Sequence, residues 1–171
     1  MEHSIIHHHD RADDGIDRRG FLNCMAWAGT GMAWFARAGV LSSAPLPRLG
    51  AGEADGRLAA GDFVFAQLSD SHIGFSKDAN KDVVSTLQTA IARIQALPVA
   101  PDFVIHTGDL THLSKPEEFD TLQQILMSSK VGQVFYVPGE HDMLADDGRQ
   151  YLDRYGKDTQ GQGWFSFDNK G

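Results

Sequence analysis

Short apolar runs alternate with stretches of helical spacing along the chain after residue 60. The runs predict buried strands, and they lie at 63–69, 102–106, 133–137 and 164–167. Between these runs, apolar residues three or four positions apart predict helices. The first covers 78–97, and the second begins at the capping signal Ser114-Lys115-Pro116-Glu117. The third covers 146–155, with Gly156 as its C-cap. This order of strands and helices predicts an α/β fold with a parallel sheet.

The first sixty residues have a different character. Arg18 and Arg19, in the motif Arg18-Arg19-x-Phe21-Leu22, precede a 16-residue stretch without a charge, 21–36. This stretch is shorter than a bilayer-spanning helix, which needs about 20 apolar residues. Paired arginines before a short, modestly apolar run are typical of a bacterial twin-arginine export signal. We therefore expect residues 1–44 to be such a signal and residues 45–60, rich in Pro and Gly, to be a linker before a domain at 61–171.

This interpretation predicts a periplasmic or secreted protein that is a substrate of the twin-arginine export machinery and has no stable transmembrane span. The alternatives are an uncleaved membrane anchor and an ordinary amphipathic helix. Cys24, the one cysteine, lies within the predicted signal, so the mature domain would contain no thiol, which suits an oxidising compartment.

The composition excludes one class of partner. The chain has 171 residues and a formal net charge of −8. A protein that binds nucleic acid through its phosphates needs a basic surface. We therefore expect no nucleic-acid binding.

Acids and imidazoles follow three of the predicted strands at the point where each ends. They lie in Ser69-Asp70-Ser71-His72, in Thr107-Gly108-Asp109 and in Pro138-Gly139-Glu140-His141-Asp142. Neighbouring strands lie about 4.8 Å apart, so the three clusters should converge. Crowded carboxylates are tolerable when cations lie among them. Oxygen and imidazole ligands without thiolates suit Mn²⁺, Fe, Zn²⁺ or Mg²⁺.

Asp-x-His, Gly-Asp and Gly-x-His-Asp in this order, over residues 62–171, resemble the calcineurin-like metallophosphoesterase family. Thr107-Gly108-Asp109-Leu110-Thr111 is most similar to its bacterial phosphodiesterase branch. The resemblance implies the N-terminal half of that family's sandwich, built from βαβαβ units and truncated. It also implies an enzyme, a phosphodiesterase or phosphatase, that hydrolyses phosphoesters with a water activated by two divalent metal ions.

The resemblance assigns roles to individual residues. Asp70 and His72 would bind the first metal, Asp109 would bridge both, and Glu140 would bind the second. His141 would donate a proton to the leaving oxygen or hold the phosphate of the substrate. In the same assignment Asp142 would orient the His141 ring.

The sequence departs from the family in two places. Glu140 stands where the family usually has Asn, which adds a negative charge beside an anionic substrate. No His follows His141, although the family has further His ligands downstream. The alternative to a hydrolase is therefore a non-catalytic remnant or binding module that keeps the fold, and the truncated chain could itself be inactive. A hydrolase with a side-chain nucleophile ranks last, because the sequence has no Gly-x-Ser-x-Gly elbow.

The remaining histidines and aromatic residues receive ordinary interpretations. We expect His106 to be a satisfied group within its strand. We expect His112 either to support the site without binding the metal or to face solvent, and we assign it no role as a ligand. Trp164 and Phe165 are expected in the core rather than at a substrate surface.

Overall fold

The computed structural model describes residues 31–46, 59–159 and 163–170. The strands are β1 (Met32–Arg37), β2 (Val40–Pro45), β3 (Phe63–Leu68), β4 (Phe103–His106) and β5 (Gln133–Tyr136). The helices are α1 (Val83–Gln95), α2 (Pro116–Ser128) and α3 (Arg149–Tyr155), with short 3-10 turns at His141–Met143 and Lys157–Thr159. Within these ranges no helix is long and apolar enough to cross a membrane.

The five strands form one sheet in the order β2-β1-β3-β4-β5. β3, β4 and β5 are parallel, as their alternation with helices predicted. Leu68 pairs with His106, and His106 pairs with Tyr136. The three parallel strands therefore end level with one another, and the loops that follow them leave from the same edge of the sheet.

The core lies between one face of this sheet and the apolar faces of α1 and α2. On β3 every second residue is buried, namely Val64, Ala66 and Leu68. They join one apolar cluster with the buried residues of the helices, which include Leu87, Ile91, Ile94, Phe119, Leu122 and Ile125. Burying one such side chain contributes about 1.5–3 kcal/mol. The predicted helices are thus confirmed, although α1 is shorter than the predicted 78–97 and α3 is shorter than the predicted 146–155.

The opposite face of the sheet carries a row of aromatic rings. The Phe65 ring stacks on Trp34 at 5.8 Å and on Phe103 at 5.0 Å between centroids. The segment 163–170 lies against the end of this row, where Phe167 stacks on Phe135 at 4.1 Å.

The prediction of a strand at 164–167 is wrong for the structure described here. The segment has no strand assignment, and its contacts are made by side chains: Phe167 packs on the sheet, and Lys170 Nζ forms an ion pair with Asp102 at 2.6 Å. Trp164 is 69% exposed, so it is not in the core. Alternating aromatic residues favour a strand, but here the rings of Phe165 and Phe167 pack on Phe135 and the segment makes no strand pairing.

An antiparallel hairpin, β1 and β2, adds to the sheet where the pattern predicted none. Its two-residue turn, Ala38-Gly39, has positive φ at both positions, 49° and 79°, as the tightest hairpin turns require. β1 pairs with β3. The hairpin uses residues assigned to the predicted signal and to the start of the linker; the signal itself stays a prediction, and residues 1–30 and 47–58 lie outside the described ranges.

Helix α2 begins one residue later than its capping signal predicted. Lys115 is the N-cap and Pro116 is the first helical residue. The Glu118 carboxylate accepts a hydrogen bond from the Leu113 N–H at 2.8 Å. Ser114 does not cap the helix, because its hydroxyl donates to the Asp142 carbonyl at 2.7 Å. Gly156 is the C-cap of α3, as predicted.

Candidate metal centre

Backbone hydrogen bonds join the loop after β3 to the loop after β4. The Asp70 N–H donates to the Gly108 carbonyl at 3.1 Å, and the His72 N–H donates to the Asp109 carbonyl at 2.9 Å. These bonds continue the parallel pairing of the strands past the edge of the sheet. They place the first and second polar clusters side by side.

Three of the predicted metal ligands have an uncommon backbone conformation. Asp70, His72 and Asp109 have φ values of 56°, 41° and 50°. A non-glycine residue in this left-handed region costs on the order of 1 kcal/mol or more, and such residues concentrate at functional sites. The surrounding hydrogen bonds hold this geometry, which sets the direction of each side chain.

Two glycines let the loops after β4 and β5 touch. Gly108 has a φ of +109°, and a Cβ placed on it would lie 3.0 Å from the Cα and N atoms of Gly139. A Cβ placed on Gly139 would collide with the side chain and backbone of Asp109. The close approach needs glycine at both positions, so the two loops bring Asp109 and His141 together.

One group of possible metal ligands consists of Asp70, His72 and Asp109. The His72 Nε2 lies 3.8 Å from an oxygen of each carboxylate. His72 is 2% exposed. Burial raises the pKa of Asp109 above its ordinary value, and the hydrogen bond from the His141 N–H acts in the opposite direction. A divalent cation would offset the repulsion between two half-buried carboxylates, so the donor set fits such an ion.

The His141 ring is held by a backbone carbonyl. Its Nδ1 lies 2.7 Å from the His112 oxygen. Because a carbonyl oxygen only accepts, Nδ1 carries the proton and Nε2 presents a lone pair. The His141 N–H donates to Asp109 Oδ1 at 3.1 Å, which ties the third cluster to the second.

Asp142 was predicted to orient the His141 ring, but its hydrogen bonds give it a different role. Its carboxylate is fully buried and accepts from the N–H groups of Leu110 at 3.1 Å, Thr111 at 2.9 Å and Gly139 at 2.9 Å. The Thr111 hydroxyl donates to it at 2.9 Å. Four donors satisfy the charge, so Asp142 clamps the loops after β4 and β5, and the His112 carbonyl holds the His141 ring instead.

Glu140, the predicted ligand of a second metal, has an exposed side chain. It is in neither group of possible metal ligands found among the described residues. The structure therefore brings together Asp70, His72 and Asp109, and Glu140 is not a member of this group.

His112 is the residue that sequence reasoning missed. It is buried and forms a second group of possible metal ligands with His72 and His141. Its ring meets Phe75 edge-on at 5.1 Å. The available signal was its position three residues after Asp109 in the same loop, but only the fold shows that this loop turns His112 inward.

His106 is buried within β4, as expected. Its Nε2 lies 2.9 Å from the Ser71 hydroxyl, which in turn donates to the Leu110 carbonyl. Complete burial lowers the pKa of His106 to about 4. The ring is therefore neutral at pH 7 and supports the loop after β3 as a hydrogen-bond donor to Ser71.

Comparison with known proteins agrees with this geometry. The chain is 31% identical over 80 residues to a 3′,5′-cyclic-nucleotide phosphodiesterase of Nostoc sp.. The match covers 45% of this chain and 30% of the relative, so the chain spans well under two thirds of that protein's length. Residues 63–170 match the sequence pattern of the calcineurin-like phosphoesterases. That match extends over more than half of the chain and over all three polar clusters, and the chain therefore belongs to the calcineurin-like phosphoesterase family.

Proposed function

We propose that this chain forms the metal-binding part of a phosphoester hydrolase that uses two divalent ions. The observation that carries the proposal is the group of Asp70, His72 and Asp109, whose ligand atoms lie within 4.8 Å of one another. His72 and Asp109 come from two motifs and lie 37 positions apart in the sequence. The parallel pairing of β3 with β4 places them together. Family membership supports the reaction class.

The residues of the chain have separable tasks in this reaction. Divalent ions in such a site supply Lewis acidity toward a phosphoryl oxygen and make water a strong nucleophile at neutral pH. Asp70, His72 and Asp109 would hold the ions. The His141 ring, when protonated, holds a phosphate oxygen through its Nε2–H or gives that proton to the leaving oxygen. Asp142 keeps the loops that carry Asp109 and His141 at a fixed separation.

We propose a phosphodiester as the substrate. The support is the similarity to the Nostoc protein, which is named as a 3′,5′-cyclic-nucleotide phosphodiesterase. Cyclic nucleotides are therefore the first natural substrates to assay, next to a generic chromogenic phosphodiester.

The test is metal-dependent hydrolysis of bis(p-nitrophenyl) phosphate by the full chain, with and without Mn²⁺. Asp109→Asn should lower kcat at least a hundredfold, because it removes a charged ligand from the group. The control Asp120→Asn changes an exposed acid that is paired with Arg154 on the surface and should leave kcat unchanged. Wild-type kcat in a folded Asp109→Asn protein would contradict the mechanism.

We also propose that residues 1–44 direct export through the twin-arginine route to the periplasm or the exterior. The support is Arg18-Arg19-x-Phe21-Leu22 before a short run without charges. Replacing Arg18 and Arg19 together by Lys should retain the protein in the cytosolic fraction, whereas Arg37→Lys should not. Equal export of both variants, measured by cell fractionation, would refute this route.

A further inference from the structure

Three buried imidazoles meet beside the carboxylate group. His72, His112 and His141 each place a ring nitrogen within 4.8 Å of the other two. Their exposed fractions are 2%, 7% and 2%. The ring centroids of His72 and His141 lie 4.7 Å apart, and those of His112 and His141 lie 5.2 Å apart. Neither the sequence motifs nor the proposed reaction assigns a function to the His112 ring.

The donor chemistry of this group differs from that of its neighbour. The His112 carbonyl fixes the proton of His141 on Nδ1, so the Nε2 of His141 is a donor to a metal. Three imidazoles without a carboxylate suit Zn²⁺, Co²⁺, Ni²⁺ or Cu²⁺ better than Mg²⁺. Tetrahedral zinc with bonds of about 2.0–2.1 Å holds its nitrogens about 3.3 Å apart, a separation that modest side-chain rotations would reach from the observed one.

We propose that His72, His112 and His141 form a nitrogen-only site for Zn²⁺ or a similar transition-metal ion, and that an ion bound there inhibits hydrolysis. His72 also belongs to the carboxylate group, and His141 is the residue that faces the phosphate in the proposed reaction. An ion held by all three imidazoles occupies both of them. The inhibitory half of this inference rests on the proposed function, whereas the binding half does not.

The binding half is tested with the full chain stripped of metal and titrated with Co²⁺, whose visible absorption reports imidazole coordination. His112→Gln removes the ring but keeps the backbone carbonyl that holds His141. We expect its Co²⁺ affinity, measured against a competing chelator, to fall at least tenfold. Asp120→Asn is the control, because it changes a surface acid that pairs with Arg154 away from the group, and it should retain wild-type affinity. Wild-type Co²⁺ affinity and absorption in folded His112→Gln would overturn the site.

A second test uses the wild-type protein, so its result does not depend on whether a variant folds. X-ray absorption at the zinc edge, with one equivalent of Zn²⁺ bound, should count three imidazole ligands. A count below three, or a shell dominated by oxygen, would overturn the proposal.

The inhibitory half is tested on the Mn²⁺-loaded chain during hydrolysis of bis(p-nitrophenyl) phosphate. Added Zn²⁺ should inhibit the wild type, and the concentration for half-inhibition should rise at least tenfold in His112→Gln. Equal inhibition of both proteins would overturn this half. If the wild type binds Co²⁺ through imidazoles but does not hydrolyse the ester, the proposed function fails and the nitrogen site stands.

Discussion

At the scale of single residues, the centre depends on side chains that never need to touch a substrate. Asp142 is the main example, because its two oxygens satisfy donors from two different loops. A buried carboxylate is costly unless it is hydrogen-bonded in this way. Its place directly after His141 makes a role in orienting that ring an obvious interpretation from sequence, but the structure gives it a structural role.

Asp142→Asn should destabilise the fold without changing the shape of the side chain. An amide can keep its oxygen toward Thr111, but its NH₂ then faces the N–H groups of Leu110 and Gly139, which both donate to Oδ2. Each buried donor left unsatisfied costs about 1–3 kcal/mol. We expect the free energy of unfolding in urea to fall by about 2–4 kcal/mol.

The same substitution at the surface is the control for that loss. Asp120→Asn breaks an exposed ion pair with Arg154, and such pairs contribute about 1 kcal/mol at most. Equal losses at positions 120 and 142 would show that the four hydrogen bonds of Asp142 contribute little.

Glu140→Asn should preserve or raise phosphodiester turnover. The Glu140 side chain is exposed and lies outside both groups of possible metal ligands, so its removal costs the centre no observed ligand. It also removes a negative charge that repels an anionic substrate. The measurement is kcat/KM at low ionic strength, with Glu117→Gln as a control on an exposed acid in the first turn of α2. A tenfold fall with metal content retained would mean that Glu140 binds a metal after all.

At the scale of elements, the parallel strands place the polar loops at one edge of the sheet. The glycines set how closely these loops approach each other. Gly108 and Gly139 belong to different loops. A Cβ on Gly108 would meet the backbone of Gly139, and a Cβ on Gly139 would meet Asp109, which follows Gly108. The distance between the β4 and β5 loops is therefore set by main-chain contact. That contact is what fixes Asp109 relative to His141.

Gly139→Ala should weaken metal binding by displacing Asp109, with which the new Cβ would collide. We expect the Mn²⁺ dissociation constant, measured by titration calorimetry, to rise at least tenfold. Gly132→Ala is the control: its φ is +82° and its Cβ would meet nothing within 4 Å, so it should cost about 1 kcal/mol of stability and leave Mn²⁺ affinity unchanged. Unchanged affinity in Gly139→Ala would show that the loops tolerate a wider separation.

At the scale of the whole molecule, metal binding should couple to stability. The carboxylates of Asp70 and Asp109 are held together by the fold, and their repulsion is a cost that a divalent ion removes. An ion that binds only the folded chain stabilises it by about 2.7 kcal/mol at a hundred times its dissociation constant.

Mn²⁺ at that excess should raise the thermal midpoint of the metal-stripped chain by roughly 5–10 °C, since a domain of this size shifts by about 2–4 °C per kcal/mol. Asp109→Asn should lose most of the shift, while Asp120→Asn should retain it. A midpoint that does not respond to Mn²⁺ in the wild type would contradict the metal centre, whatever the activity assay finds.

The sequence by itself determined β3, β4, β5, the two long helices and the three polar loops. Each depends on a local cause. A short apolar run favours a buried strand, apolar residues three or four positions apart form one buried face of a helix, and polar residues follow each strand. Parallel strands in one sheet then require the loops to meet at one edge.

The tertiary structure decided what depends on contacts between distant parts of the chain. The β1–β2 hairpin exists because β3 offers it an edge, and 164–167 stays out of the sheet while its aromatic rings pack on Phe135. His112 joins His72 and His141 only because the loop after β4 folds inward. Local patterns show which residues can bind a metal. Burial and the choice of hydrogen-bond partner depend on residues that are close in space but distant in sequence.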